Sequence, residues 1–170
     1  MLYTVNYISP LGGITLASDG EALTGLWFDG QKYFGSTLSV ERADGRPKVF
    51  DEAERWLDIY FSGKAPEHTP PLNFGGSAFR RAVLESLLDI PFGCTATYGE
   101  IAELAAKRLG LERTSARAVG GAVGHNPISL IIPCHRVVGA GGSLTGYAGG
   151  VERKRWLLEM ERTGLPGARL

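Results

Sequence analysis

Thirteen residues near the middle of the chain, Lys64 to Gly76, hold three prolines (Pro66, Pro70, Pro71) and two glycines (Gly75, Gly76), so no helix or strand can run through them. The chain therefore divides into an N-terminal unit with its linker, 1–74, and a C-terminal unit, 75–170. Hydrophobic periodicity differs on the two sides. Before the break, Tyr3, Val5 and Tyr7 alternate with polar partners, and Ser9-Pro10-Leu11-Gly12-Gly13 has turn chemistry. Ile14 to Leu16 and Leu23 to Phe28 add further β-type segments, and the short turns make the sheet antiparallel. From Phe50 to Ser62 the period becomes helical, with Phe50, Ala53, Trp56, Leu57, Tyr60 and Phe61 on one face and Gly63 at the stop. Such a helix covers one face of the sheet.

Beyond the break the chain is mainly helical. Ser77 caps a helix with Phe79, Val83, Leu84, Leu87 and Leu88 inward, which ends before Pro91. Thr97-Tyr98-Gly99-Glu100 has the form of a capping box and starts a helix over 98–108, with Ile101, Leu104 and Ala105 inward. Thr114 or Ser115 caps a third helix through Ala116 to Val123. Its central Gly120 and Gly121 each cost roughly 1 kcal/mol relative to alanine, which close approach of another backbone can explain. That partner is either a neighbouring helix or something outside the chain. Two short helices in succession fit a helix-turn-helix. A terminal helix spans Val151 to Arg162, with Trp156, Leu157, Leu158 and Met160 apolar and Gly164 and Pro166 closing it.

At 170 residues, 44% hydrophobic and 21% charged, the composition is that of a globular protein, and no run approaches the roughly 18 apolar residues of a membrane span. No signal-peptide pattern opens the chain, and a cytoplasmic protein is expected. Cys94 and Cys134 form no disulfide framework or zinc pair, and His68, His125 and His135 are too scattered to make a metal site, so none is expected. The net charge of zero conceals an asymmetry. Before Asn73 there are 6 Lys/Arg against 10 Asp/Glu, and after it 12 against 8, so a polyanion prefers the C-terminal half.

Chemistry concentrates where an apolar approach containing Ile128, Ile131 and Ile132 delivers Pro133-Cys134-His135-Arg136. A free thiol with a pKa of about 8.5 is only slightly ionised at neutral pH, and the thiolate is the nucleophile, so an adjacent base matters. A small core hydrophobe is the other reading of Cys134, and its flanks weigh against that. Cys94, in a turn with no base beside it, reads as incidental. Gly139 to Gly150 holds six glycines in twelve residues, suited to a loop that folds over a ligand. Neither GxxxxGK[ST] nor a strand-GxGxxG-helix unit occurs, so a nucleotide cofactor is not expected.

These residues resemble the O6-alkylguanine-DNA alkyltransferases, or methylated-DNA–protein-cysteine methyltransferases, from about Phe79 to Glu161. The resemblance is carried by Ile90-Pro91-Phe92-Gly93, Thr97-Tyr98-Gly99-Glu100-Ile101-Ala102, Ala116-Arg117-Ala118-Val119-Gly120 and Gly124-His125-Asn126-Pro127. It continues in Pro133-Cys134-His135-Arg136-Val137-Val138, in Gly146-Tyr147-Ala148-Gly149-Gly150, and in Lys154 and Leu157-Leu158-Glu159-Met160-Glu161. It implies an α+β fold, a small N-terminal α/β domain followed by a mainly helical domain with a winged helix-turn-helix-like motif. The implied activity is direct repair of double-stranded DNA. An alkyl group passes from O6-alkylguanine, and also from O4-alkylthymine, to Cys134, once per molecule and without cofactor.

By the same resemblance His135 takes the thiol proton through a water and Glu161 orients the imidazole. The sequence agrees, because Glu161 lies four residues beyond Leu157 and three beyond Leu158, on the apolar side of its helix, where a carboxylate needs a partner. A surface glutamate is the other reading. Asn126 supports the active-site turn, and Tyr98 crowds the target phosphate and donates to the guanine. Arg117 fills the stack vacated by the flipped base. Ser115, Ala116, Ala118, Gly120 and Arg136 complete the DNA contacts, while Val123, Val137, Tyr147, Ala148 and Gly149 form the base pocket. Carbonyls of Cys134 and Val137 accept from the exocyclic amine. The turn Leu109-Gly110-Leu111-Glu112-Arg113 is longer than the family's pattern, and no ligand set exists here for the zinc some members carry. A monomer with no obligate protein partner and no membrane is implied, nucleoid-associated in a prokaryote. Two rivals remain: a lesion-binding module without transfer, against which Cys134 argues since such proteins carry tryptophan there, and a thiol hydrolase, against which the adjacency of Cys134 and His135 argues.

Overall fold

A computed structural model describes residues 1–170. Strands β1 (Tyr3–Ser9), β2 (Gly12–Ser18) and β3 (Leu23–Phe28) form an antiparallel sheet in that order, with Val5 opposite Leu16 and Leu16 opposite Leu26. Helix α1 (Lys48–Phe61) packs on all three strands through Val49, Phe50, Ala53, Trp56, Leu57, Tyr60 and Phe61, the expected face with Val49 added. It starts two residues earlier than the apolar pattern because Pro47, with φ −55°, already has helical φ and stands at the N-cap. Residues 64–76 contain no helix or strand; an isolated bridge joins Leu72 to Leu23 of β3, Asn73 donates to Asp19, and Leu72 and Phe74 pack on the core.

Helix α2 (Ala78–Leu88) is capped by Ser77, whose hydroxyl accepts from Arg80 N. Strand β4 (Ala96–Thr97) leads into α3 (Tyr98–Leu109), capped by Thr97, and α4 (Ala116–Gly124) is capped by Ser115. Strand β5 (Val137–Val138) pairs parallel to β4, and α5 (Val151–Thr163) ends at Gly164 in the left-handed conformation. The β4–β5 pair was not expected, since two-residue strands have no periodicity to read.

Two inward assignments need correction. Leu88 and Leu104 are each more than a third exposed, and Ala82 and Ser86 of α2 with Ala102 and Ala106 of α3 are buried in their place. Helices α2, α3 and α4 pack on one another, Leu84 and Leu87 stay buried while Leu88 and Leu104 turn outward, and Ser86 satisfies its hydroxyl on Ala82 O at 2.7 Å. One hydrophobic cluster runs from Leu11 to Met160, through both sides of the linker.

Candidate active site and nucleic-acid interface

The turn that presents Cys134 is pinned from two sides. Leu26 of β3 donates its N–H to Pro127 O (2.9 Å) and accepts from Ser129 N (3.0 Å), so the sheet edge holds residues 127–129. The buried Asn126 amide donates to Ile132 O (2.8 Å) and Ile128 O (3.3 Å) and accepts from Ile128 N (3.0 Å). Between these clamps Leu130 is fully buried with φ +70°, a conformation costing a non-glycine residue roughly 1–2 kcal/mol. A single 3-10 turn, Cys134–Arg136, then runs into β5, and pairing with β4 brings Tyr98, the first residue of α3, to the same place.

Cys134, 4% exposed, lies on a cavity of about 190 Å³. Tyr98 of α3 and Gly120, Val123 and Gly124 of α4 form one wall, and Gly146, Tyr147 and Ala148 of the glycine-rich loop form another. Tyr98 joins the walls by donating its hydroxyl to Thr145 O at 3.3 Å. The N-terminal unit contributes Lys32 and Tyr33 to the lining. Tyr33 stacks on His125 at 4.1 Å and holds φ +58°. No three His, Cys, Asp or Glu side chains converge as a metal site.

Behind the thiol, His135 Nε2 lies 2.6 Å from Glu161 Oε2, and both side chains are buried. Five hydrogen bonds converge on the Glu161 carboxylate. Oε1 accepts from Arg136 Nε (2.8 Å) and Gly93 N (3.0 Å), and Oε2 accepts from His135, from Tyr60 Oη (2.6 Å) and from Arg136 Nη2 (3.3 Å). Burial pushes this carboxyl up, but the bonds and charges of His135 and Arg136 outweigh it and hold it down at about 2. With Glu161 ionised, Nε2 must carry the imidazole proton, which leaves Nδ1 as an acceptor. Nδ1 is buried and has no hydrogen-bond partner within the protein.

Burial also governs the Cys134 thiol and the His135 imidazole. It raises the Cys134 thiol above its ordinary value, against the Asn126 hydrogen bond and the positive charge of Lys154. It draws the His135 imidazole below its ordinary value, against the pull of Glu161. Both shifts therefore favour the neutral thiol and the neutral imidazole. Lys154, fully buried on α5, donates Nζ to Val137 O (2.5 Å), Thr145 O (3.2 Å) and Gly146 O (3.3 Å), tying β5 to the loop.

On the outer face of α4, Ser115, Ala116, Arg117 and Ala118 are exposed, and the Ser115 hydroxyl accepts from Ala118 N at 3.0 Å. A methyl group added at Gly121 or Gly124 would meet nothing within 4 Å, and one at Gly120 would only graze Tyr98. Only Tyr98, the first residue of α3, borders the glycines, and the space beside Gly121 and Gly124 is open. The longer turn into α4 is anchored where Thr114 Oγ1 donates to Ala102 O at 2.8 Å.

Three placements differ from expectation. Arg136, expected on DNA, is 8% exposed, its guanidinium held by Glu161 and by Ile90 O (2.7 Å), so it faces the interior instead of the α4 surface. Val137 is fully buried outside the cavity lining, and its carbonyl already accepts from Lys154. Gly149 is buried behind Tyr147, where a side chain would meet the ring at 2.6 Å, and it too is absent from the lining. Sequence reasoning missed Lys32, Tyr33, Tyr60 and the buried role of Lys154. For Lys154 a signal existed: with Leu157 and Glu161 it sits at i, i+3 and i+7 of one helix face.

Residues 1–74 match the family model of the 6-O-methylguanine DNA methyltransferase ribonuclease-like domain, and residues 78–163 that of the 6-O-methylguanine DNA methyltransferase DNA binding domain. The chain is 45% identical over 158 residues to a methylated-DNA–protein-cysteine methyltransferase of Mycobacterium tuberculosis, covering 93% of this chain and 91% of that protein. A protein of the same name from Haemophilus influenzae is 40% identical over 163 residues, 95% of this chain and 87% of the other. Among solved structures, Mycobacterium tuberculosis OGT in complex with DNA superposes with a TM-score of 0.81 at 42% identity, covering 97% of this chain and 94% of that one. An O6-methylguanine DNA methyltransferase from Methanococcus jannaschii gives 0.63 at 30% identity, over 93% of each chain. No helix is long and apolar enough to cross a membrane.

Proposed function

The chain belongs to the 6-O-methylguanine DNA methyltransferase family, and from that membership we propose that it repairs double-stranded DNA by moving the alkyl group of O6-alkylguanine onto Cys134. The same chemistry extends to O4-alkylthymine, and the protein acts in the cytoplasm, at the nucleoid of a prokaryotic host. The damaged base is first rotated out of the duplex, at a cost of a few kcal/mol, because a thiol cannot reach the alkyl carbon within the stack. Arg117, exposed on a helix face free of neighbours, takes the vacated place from the minor groove, and Tyr98 beside the cavity favours the extrahelical base.

In the cavity, Sγ of Cys134 forms a bond to the alkyl carbon while the bond from that carbon to O6 breaks, its electron pair staying on the guanine. The thiol proton passes through a water to His135 Nδ1, and a proton returned to the purine restores guanine. Thioether and guanine are the products. Glu161 stabilises the imidazolium formed on the way, which is the logic of nucleophile, base and orienting group. Because the thioether is not cleaved, each molecule acts once.

The observation that supports this reading is a cavity-lining cysteine followed in the chain by a buried histidine whose Nε2 is held by Glu161 and whose Nδ1 is a buried acceptor with no partner in the protein. Incubation with duplex DNA containing O6-methylguanine, followed by peptide mass spectrometry, tests it. One methyl per protein on Cys134, with loss of the lesion, is the expected result. Binding without a mass change, or catalytic ester hydrolysis, would replace the reading with one of its rivals.

A further inference from the structure

Glu161 is oriented by a side chain from the opposite half of the molecule. Tyr60, in the last turn of α1, donates its hydroxyl to Glu161 Oε2 at 2.6 Å, from 101 residues away in the chain. The same oxygen receives His135 Nε2, and Tyr60 Oη lies 3.3 Å from Nε2 itself. The tyrosine ring is fully buried, stacked on Trp56 at 5.1 Å and met edge-on by Phe61 and Phe92. Its hydroxyl has therefore little freedom to leave the carboxylate. Burial and the Glu161 charge push the phenol well above its ordinary value, so it remains a proton donor at every working pH.

Packing alone does not require that hydroxyl, because phenylalanine fills almost the same volume. We infer that Tyr60 is a positioning residue of the transfer reaction, by which the N-terminal unit fixes the carboxylate partner of His135 and limits how strongly that carboxylate draws a proton onto the imidazole. The inference rests on the assignment of Cys134 and His135 proposed above. Its physical basis is competition for one oxygen: charge engaged by the phenol is charge withheld from Nε2. The other groups facing the imidazole are Arg136 beside it, Lys154 on α5, Tyr147 of the loop and Cys134. Lys154 keeps Val137 O, and Arg136 keeps Ile90 O and its two bonds to Glu161, whether or not the phenol is present. Removing the hydroxyl should thus loosen the carboxylate and raise the pH at which His135 becomes protonated.

The full-length Tyr60→Phe protein, compared with wild type, tests this by single-turnover transfer from free O6-benzylguanine between about pH 5 and 9, together with an NMR titration of the His135 imidazole. Transfer is expected to slow about tenfold, the rate equivalent of one charge-assisted hydrogen bond. The acid limb of the rate profile and the His135 titration should both move to higher pH, by about half a unit or more, while affinity for undamaged duplex stays unchanged. Should Tyr60→Phe fold poorly, 3-fluorotyrosine placed at position 60 keeps the hydroxyl, makes it more acidic at the cost of one hydrogen-to-fluorine change on the ring, and should move both curves to lower pH. A wild-type rate with unmoved curves refutes the inference. So does slower transfer with an unmoved His135 titration, which marks a packing role. Failure of the wild-type protein to alkylate Cys134 at all refutes the repair reading instead, so the two failures are separable.

Discussion

Replacing Asn126 by alanine strikes the clamp that holds the reactive turn, and the structure allows its cost to be worked out. Of the groups the amide serves, Ile132 O keeps a second donor in Cys134 N (2.8 Å), and Ile128 O keeps Ile132 N (3.1 Å). The N–H of Ile128 has only Asn126 Oδ1, and Ile128 is fully buried. One orphaned buried donor costs about 1–3 kcal/mol, and the vacated amide volume adds roughly 1 kcal/mol. The total of about 2–4 kcal/mol corresponds to a fall in Tm of roughly 5–15 °C for a chain of this size. Strain at Leu130 is then no longer over-determined, so Cys134 should drift and transfer should slow by more than the stability loss explains. Calorimetry and single-turnover transfer from O6-benzylguanine measure the two effects. Asn126→Asp keeps the acceptor for Ile128 N–H but sets its second oxygen against the carbonyls of Ile132 and Ile128 and a negative charge beside the thiol, so it too should melt below wild type and react slowly. An Asn126→Ala protein that melts within about 2 °C of wild type and reacts at its rate would refute the argument.

Glu161, ordinarily at 4.5 and held at about 2, contributes stability that is present above the unfolded value and is lost as pH falls through the folded one. Between about pH 4.5 and 2 the protein should lose up to about 3 kcal/mol from this group, and Glu161→Gln should flatten that part of a Tm-against-pH curve. Arg136→Met removes the cation from a buried pair and should cost about 3–5 kcal/mol in thermal unfolding while leaving the salt dependence of duplex binding unchanged; a salt slope reduced by about one would mean a phosphate contact after all. Arg117→Ala should slow repair of duplex DNA far more than reaction with free O6-benzylguanine, and equal slowing would remove it from the flipping role.

Elements with a sustained period are legible in the sequence alone. The alternation of β1, the apolar face of α1 and the caps at Ser77 and Thr97 each follow from local rules, while local rules left Thr114 or Ser115 as the cap of α4, which the fold gives to Ser115. Glu161 is legible for a related reason, because a carboxylate on an apolar helix face must find a partner and His135 stands beside the candidate nucleophile. The same rule applied to Lys154 would have buried it too. Local rules do not reach the choice among distant partners. Arg136 reads as one more cation in a basic half, and only the fold turns it onto Glu161 and Ile90 O. Tyr60 falls on the core face of its helix, yet nothing in that helix says which carboxylate its hydroxyl meets across 101 residues. Lys32 and Tyr33 reach the cavity through a loop whose path no period encodes.

The opposite displacements of the two reacting groups bear on why a reagent that works once can wait intact. Burial pushes the Cys134 thiol up and draws the His135 imidazole down, and both shifts favour the uncharged pair over a standing thiolate that passing electrophiles would consume. In the proposed mechanism, charge separates only as the thiol proton moves to Nδ1, and the partners for both charges are already in place. Glu161, fixed by Arg136, Gly93 and Tyr60, faces the developing imidazolium, while Asn126 and Lys154 face the developing sulfur charge. Interactions that strengthen only as the transition state forms lower the barrier without stabilising the resting thiolate. Attack on the alkyl carbon then removes the sulfur charge by forming a neutral thioether. The buried ion pair exists only transiently, which is how a site this enclosed can tolerate it.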